Sequence, residues 1–166
     1  MATRFDKMLE KERAAAKQYD YAIGIDTGVN TAIAVWDIRR KLFIHVETTM
    51  IHRALLYIWQ FMQKCEQQNA SFYVRVEDAR QRNWFGPRSQ YKLQGAGSVK
   101  RDSKIWEDFL RDYHISFEMV APQRQQGLTK MSAAAFKQLT HYTGRTTEHS
   151  RDAAMLVFGS NRTIPF

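Results

Sequence analysis

Three apolar runs crowd into the first third of the chain: 19–26 (YDYAIGID), 31–37 (TAIAVWD) and 41–47 (KLFIHVE). The chain between them is short, a turn at Gly28-Val29-Asn30 and another near Arg39-Arg40. A parallel crossover needs a dozen or more residues, so three strands this close must form an antiparallel meander. The first run alternates and then turns wholly apolar, which suits a central strand. It ends in Asp26-Thr27-Gly28, a carboxylate at the tip of a buried element. Three chemistries begin this way. An aspartic protease carries its acid in Asp-Thr-Gly, actin-like ATPases hold phosphate and magnesium on a similar hairpin, and some nucleases put a first metal ligand there.

The rest of the chain discriminates. Ile51, Ala54, Leu55, Ile58, Met62 and Cys65 recur on one face of a helix. A fourth strand, 71–77 (SFYVRVE), follows that helix and is expected parallel to the first. A polar, basic loop covers 78–90, a second long helix 91–112, and a fifth strand 115–122, stopped by Pro122. Helices near 129–141 and 147–158 complete the order β-β-β-α-β-α-β-α-α, the last closed by Gly159. That order predicts an α/β ribonuclease H-like fold, a mixed five-stranded sheet flanked by helices. The helices argue against an aspartic protease, and 166 residues leave no room for the second domain of an actin-like ATPase. Residues 1–18 read as a charged, helical N-terminal extension, 19–160 as the single domain, and 161–166 as a tail.

The formal charge of +8 points to a polyanionic partner, because clustered Lys and Arg neutralise phosphates and release counterions. The single cysteine, Cys65, excludes an internal disulfide and a cysteine-based zinc site. No run is long and apolar enough for a membrane span, and the charged N-terminus lacks the apolar centre of a signal peptide. A cytoplasmic protein with no membrane partner and no nucleotide cofactor is expected.

The acids then fall into place. Asp26 ends the first strand and Glu77 the fourth. As parallel neighbours they would emerge at one sheet edge, where ligands of open α/β sheets gather. The last helix carries His149 and Asp152 at i, i+3, on a shared face. Asp152 on a largely apolar helix face is hard to explain as solvent decoration, since a buried acid is costly unless paired or metal-bound. Hard divalent cations prefer such oxygen donors, and two ions can activate water and stabilise a leaving oxygen in phosphodiester cleavage. Asp78 is the alternative to Glu77, Glu148 the alternative to His149, and Asp26 could instead cap its hairpin.

Together these residues resemble the RuvC family of Holliday junction resolvases. The likeness runs from about residue 20 to 160: IGIDTGVNTAIAVWD for the first strand, VRVED for the second acid, LQGAGSV (93–99) opening the long helix, and HSRDAAML. The resemblance implies a homodimer with two active sites, each nicking one strand of a four-way junction. It implies two Mg²⁺ ions per site, with Mn²⁺ substituting, on Asp26, Glu77, His149 and Asp152. It also implies Lys130 on the scissile phosphate. The segment after Glu77, DARQRNWFGPRSQYK, departs from the bacterial pattern, as does the charged leader, which would suit a phage or mobile-element version.

Basic residues flank the acids. Residues 75–104 hold Arg75, Arg80, Arg82, Arg88, Lys92, Lys100, Arg101 and Lys104 against Glu77, Asp78 and Asp102. Residues 121–145 hold Arg124, Lys130, Lys137 and Arg145 with no acid. With Trp84 and Phe85 these cations suit phosphate contact plus stacking on unpaired bases, against the plainer reading of a solvated face and a packed loop. The expectation is a metal-dependent, structure-selective DNA endonuclease. Its alternatives are a flap or other branched-DNA nuclease of the same fold, and a non-catalytic architectural DNA-binding protein.

Overall fold

The computed structural model describes residues 18–81, 89–122 and 131–161. The expected helix over 2–17 lies outside them, as do Arg82, Trp84, Phe85, Arg88, Arg124 and Lys130. The elements are β1 (Tyr21–Asp26), β2 (Asn30–Asp37), β3 (Leu42–Met50), α1 (Ile51–Gln67) and β4 (Phe72–Glu77). A 3-10 turn at Ala79–Gln81 precedes α2 (Ser89–Asp112), β5 (Ser116–Val120), α3 (Ala133–Thr140) and α4 (Glu148–Met155). The sheet order is β3-β2-β1-β4-β5, with β1–β2 and β2–β3 antiparallel and β1–β4 and β4–β5 parallel. This is the ribonuclease H-like arrangement that the element order predicts.

Strand periodicity divides the core in two. Side chains alternate across a strand, so odd and even positions of β1 serve different faces. Ile23, Ile25, Ile33, Val35, Val74 and Val76 pack against α1 and α2 through Ala54, Ile58, Trp106 and Leu110. The opposite face of β1 and β2 carries Ala22, Gly24, Ala32 and Ala34, and α4 lies on it through Ala153 and Ala154, with Val157 of the turn that follows. The contrast in size matters. A Cβ placed on Gly24 would stand 2.0 Å from the Ala153 carbonyl oxygen. Helix backbone therefore rests on strand backbone, with no side chain between them.

Three boundaries differ from expectation. β3 runs on to Met50 and passes directly into α1. α3 spans only Ala133–Thr140, ending where His141 takes a left-handed conformation (φ 58°). α4 stops at Met155, and the Arg75 guanidinium on β4 donates to the Leu156 carbonyl at 2.8 Å. A side-chain donor thus takes a carbonyl that a longer helix would have used. Gly159 does adopt positive φ (72°), but past this turn rather than at the helix end. A methyl on Gly97 would meet nothing within 4 Å, so close approach to the sheet is not what places glycine there. Trp106 is wholly buried, Phe109 partly so, and Tyr113 is exposed. Burial raises the Cys65 thiol to about 11, as befits a core thiol.

Two glycines should respond in opposite directions. Gly24→Ala overpacks the α4 contact and should cost about 1–3 kcal/mol, lowering the thermal midpoint by roughly 2–12 °C. Gly97→Ala, in open space on a helix, should gain up to about 1 kcal/mol. Thermal unfolding of both variants checks the pair, and an unshifted Gly24→Ala midpoint would refute the close packing.

Candidate active site

β1 and β4 are parallel neighbours, and Asp26 is the direct register partner of Glu77. Adjacent strands lie about 4.8 Å apart, so two carboxylates leave the C-terminal edge side by side. Both occupy positions of the Ala/Gly face, the face that carries α4. Thr27 then locks the strand ends together, its hydroxyl donating to the Glu77 carbonyl at 3.1 Å. The same hydroxyl lies 3.4 Å from Ser103 of α2. Ser103 therefore stands beside the tip of β1, with Ser89–Asp102 forming the part of α2 that precedes it.

The N-terminus of α4 is fixed as firmly. Thr147 and Ser150 form a reciprocal capping box, each side chain accepting from the other's backbone N–H. The Thr147 hydroxyl also meets that of Thr48 on β3 at 2.6 Å. One residue into the first turn, His149 places Nδ1 2.9 Å from Asp26 Oδ2. The carboxylate is 15% exposed and the imidazole 65%. His149, rather than neighbouring Glu148, therefore meets Asp26. Asp152 follows one turn on, partly buried. The Thr-x-x-Ser signal was readable in the sequence as an N-cap, and sequence reasoning passed over it.

Asp78, the alternative to Glu77, has a different environment. It is 3% exposed and grips Arg80 by two bonds, Nε at 2.8 Å and Nη2 at 2.9 Å. Arg80 Nη1 bonds Glu107 of α2 at 2.7 Å. Arg80 stood among the candidate DNA contacts by charge, yet its donors face acids of its own chain. Burial pushes the Asp78 carboxyl up, but bonds from Arg80 and Gln81 outweigh it and hold it below the usual carboxylate range. Arg75 likewise bonds Glu118 at 3.0 Å and the end of α4. Lys100, Arg101 and Lys137 are exposed, and Lys92 lies on α2 ahead of its described side chains. Asp102 beside Ser103 is buried.

The chemistry of the donors suits a hard cation: Asp26 and Glu77 are carboxylates on neighbouring strand tips, and α4 brings the His149 imidazole to Asp26. Among the described residues no group of three or more such side chains is placed to hold a metal ion. No helix of the described residues is long and apolar enough to cross a membrane.

Acid-tipped parallel strands on this sheet order define the ribonuclease H-like class. RuvC from T. thermophilus, solved in complex with a Holliday junction substrate, shares the fold at a TM-score of 0.54. The alignment covers 88% of this chain and 100% of that one at 12% identity, a likeness of fold. No protein-family model matches the chain, and no curated protein matches it in sequence.

The Asp78 clamp has a pH signature. A carboxyl held low in the folded state contributes stability above its unfolded pKa, about 3.9. That contribution is lost as pH falls through the lower folded value. Asp78→Asn should therefore flatten the loss of stability below about pH 4. Arg80→Met leaves a buried acid unpaired at neutral pH and should cost about 3–5 kcal/mol. Denaturant midpoints between pH 2.5 and 7 test both, and an unchanged acid limb in Asp78→Asn would refute the coupling.

Proposed function

We propose that this protein is a metal-dependent, structure-selective DNA endonuclease that nicks four-way junctions. The observation that carries the reading is the pairing of Asp26 with Glu77 across parallel strands, with His149 of α4 already on Asp26. The fold shared with a resolvase whose structure holds a Holliday junction substrate supports it, as does the +8 charge.

In this reading Asp26, Glu77, Asp152 and His149 hold the metal. Two Mg²⁺ ions, or Mn²⁺, would supply water activation and charge stabilisation of the leaving oxygen when bound. Water attacks the phosphorus and the P–O3′ bond breaks, leaving a 5′-phosphate and a 3′-hydroxyl. The chain's own contribution is position. Thr27 ties the strand tips together, and the Thr147 cap fixes the first turn of α4, which holds His149 on Asp26; Glu77 and Asp152 would complete the set around bound metal. His149 Nδ1 orients the Asp26 carboxylate before substrate arrives. Lys130, brought in by the family resemblance, would hold the scissile phosphate.

DNA would follow the exposed cations Lys100 and Arg101 on α2, and Lys137 on α3. Arg82, Trp84, Phe85, Arg88, Lys92 and Arg124 belong to the same proposed path. Arg80 acts instead as the clamp that shapes the chain leaving β4. A homodimer would present two such sites to opposite strands of the junction.

The test uses labelled four-way junction, flap and linear duplex with Mg²⁺, Mn²⁺ or chelator. Symmetric paired nicks in the junction are expected, abolished by chelator. Asp26→Asn and Glu77→Gln should lower the rate at least about 100- to 1,000-fold while binding survives. Equal cutting of flaps would widen the substrate to branched DNA in general. Binding without cutting in either metal would overturn the enzyme.

A further inference from the structure

A cavity of about 330 Å³ lies beside the α4 N-terminus, walled by Ala134, Phe136 and Lys137 of α3 and by Tyr142, Arg145 and Thr146 of the following loop. Its size falls within the range of small-ligand sites, about 300–1,000 Å³. The walls are built. Tyr142 stands edge-on to buried Phe136, ring centroids 6.4 Å apart. Its backbone N–H donates to the Thr140 hydroxyl at 3.2 Å, and that hydroxyl donates to the Phe136 carbonyl at 2.7 Å. Gly144 leaves room for the ring, since a Cβ there would sit 2.6 Å from the Tyr142 hydroxyl. Arg151 of α4 ties the far wall, donating to the Thr146 hydroxyl at 3.1 Å and to the Met131 carbonyl at 2.6 Å.

The chemistry of this cavity is specific. Lys137 and Arg145 supply two cations, and residues 119–147 contain no Asp or Glu. The Tyr142 ring and the apolar Ala133, Ala134 and Phe136 share the lining with these cations. Two cations beside an aromatic ring suit one nucleotide unit, its phosphate on the charges and its base against the ring. Thr146 adjoins Thr147, the α4 cap, so an occupant sits next to the turn that carries His149.

We propose that this cavity is a nucleotide subsite, distinct from the acid edge, which takes one unpaired nucleotide of a DNA strand. The proposal rests on the nuclease reading for its substrate class, and the two can fail separately. The probe is a fluorescein-labelled dT8 oligonucleotide, titrated into the full chain in chelator across a salt series. Lys137→Gln with Arg145→Gln should reduce the slope of log affinity against log salt by about 1.4. Tyr142→Ala should weaken binding about 5- to 150-fold, and Tyr142→Phe should restore it. Lys64→Gln on α1, away from the cavity, should leave the slope within about 0.7 of wild type. dTMP should displace the probe where the same concentration of inorganic phosphate does not.

Unchanged binding and slope in the exposed double variant would overturn the subsite, even if wild type cuts junctions. Equal displacement by phosphate would overturn the nucleotide in favour of a bare anion. An uncut junction alongside the expected losses in dT8 binding would overturn the nuclease and leave the subsite standing.

Discussion

One backbone-to-backbone contact sets the geometry of the candidate site. α4 lies against Gly24 so closely that a single methyl group would collide with the Ala153 carbonyl. Ala22, Ala32 and Ala34 extend the same low floor across β1 and β2. Because close-packed interiors transmit displacement rather than absorb it, the height of α4 above the sheet is held by this contact. His149 and Asp152 ride on that helix, while Asp26 and Glu77 stand on the strands beneath. The approach of His149 to Asp26 depends on what is missing from residue 24.

The other face of the sheet behaves as a buttress. Ile23, Ile25, Ile33, Val35, Val74 and Val76 meet the long α1 and α2 helices, with Trp106 wholly buried among them. Thr27 joins this side to the acid edge by reaching both the Glu77 carbonyl and Ser103. The level of the strand tips is thereby tied to α2. On this packed frame, caps and loop ion pairs complete the placement of the charges. Arg80 neutralises buried Asp78, leaving Asp26 and Glu77 as the paired acids of the edge.

Charge counting performed unevenly for a physical reason. An excess of cations is a property of the whole chain, but where each guanidinium goes depends on which acids the fold brings within reach. Arg75 and Arg80 look in sequence like Lys100 and Lys137. In the fold, Arg75 braces Glu118 and the end of α4, and Arg80 braces Asp78 and Glu107. Asp78 lies two residues from Arg80, but Glu118 is 43 residues from Arg75 and Glu107 is 27 from Arg80, beyond what a local pattern records. The cavity beside Tyr142 was hidden likewise, because its walls depend on a turn whose conformation rests on Gly144 and Thr140.

The sequence by itself determined the element order, the sheet and the location of the acids. Short connections force antiparallel pairing, a helix between strands permits parallel pairing, and period-two alternation assigns each strand residue a face. From these alone Asp26 and Glu77 fall on neighbouring strand tips, and helical spacing puts His149 and Asp152 on one face. Only the tertiary structure decided that His149 rather than Glu148 reaches Asp26, and that Asp78 is clamped away from the edge. Those choices depend on the rotation and height of α4 and on the ion pairs around Arg80. Both follow from packing between residues distant in the chain, where a spacing rule has no purchase and the fit of surfaces decides.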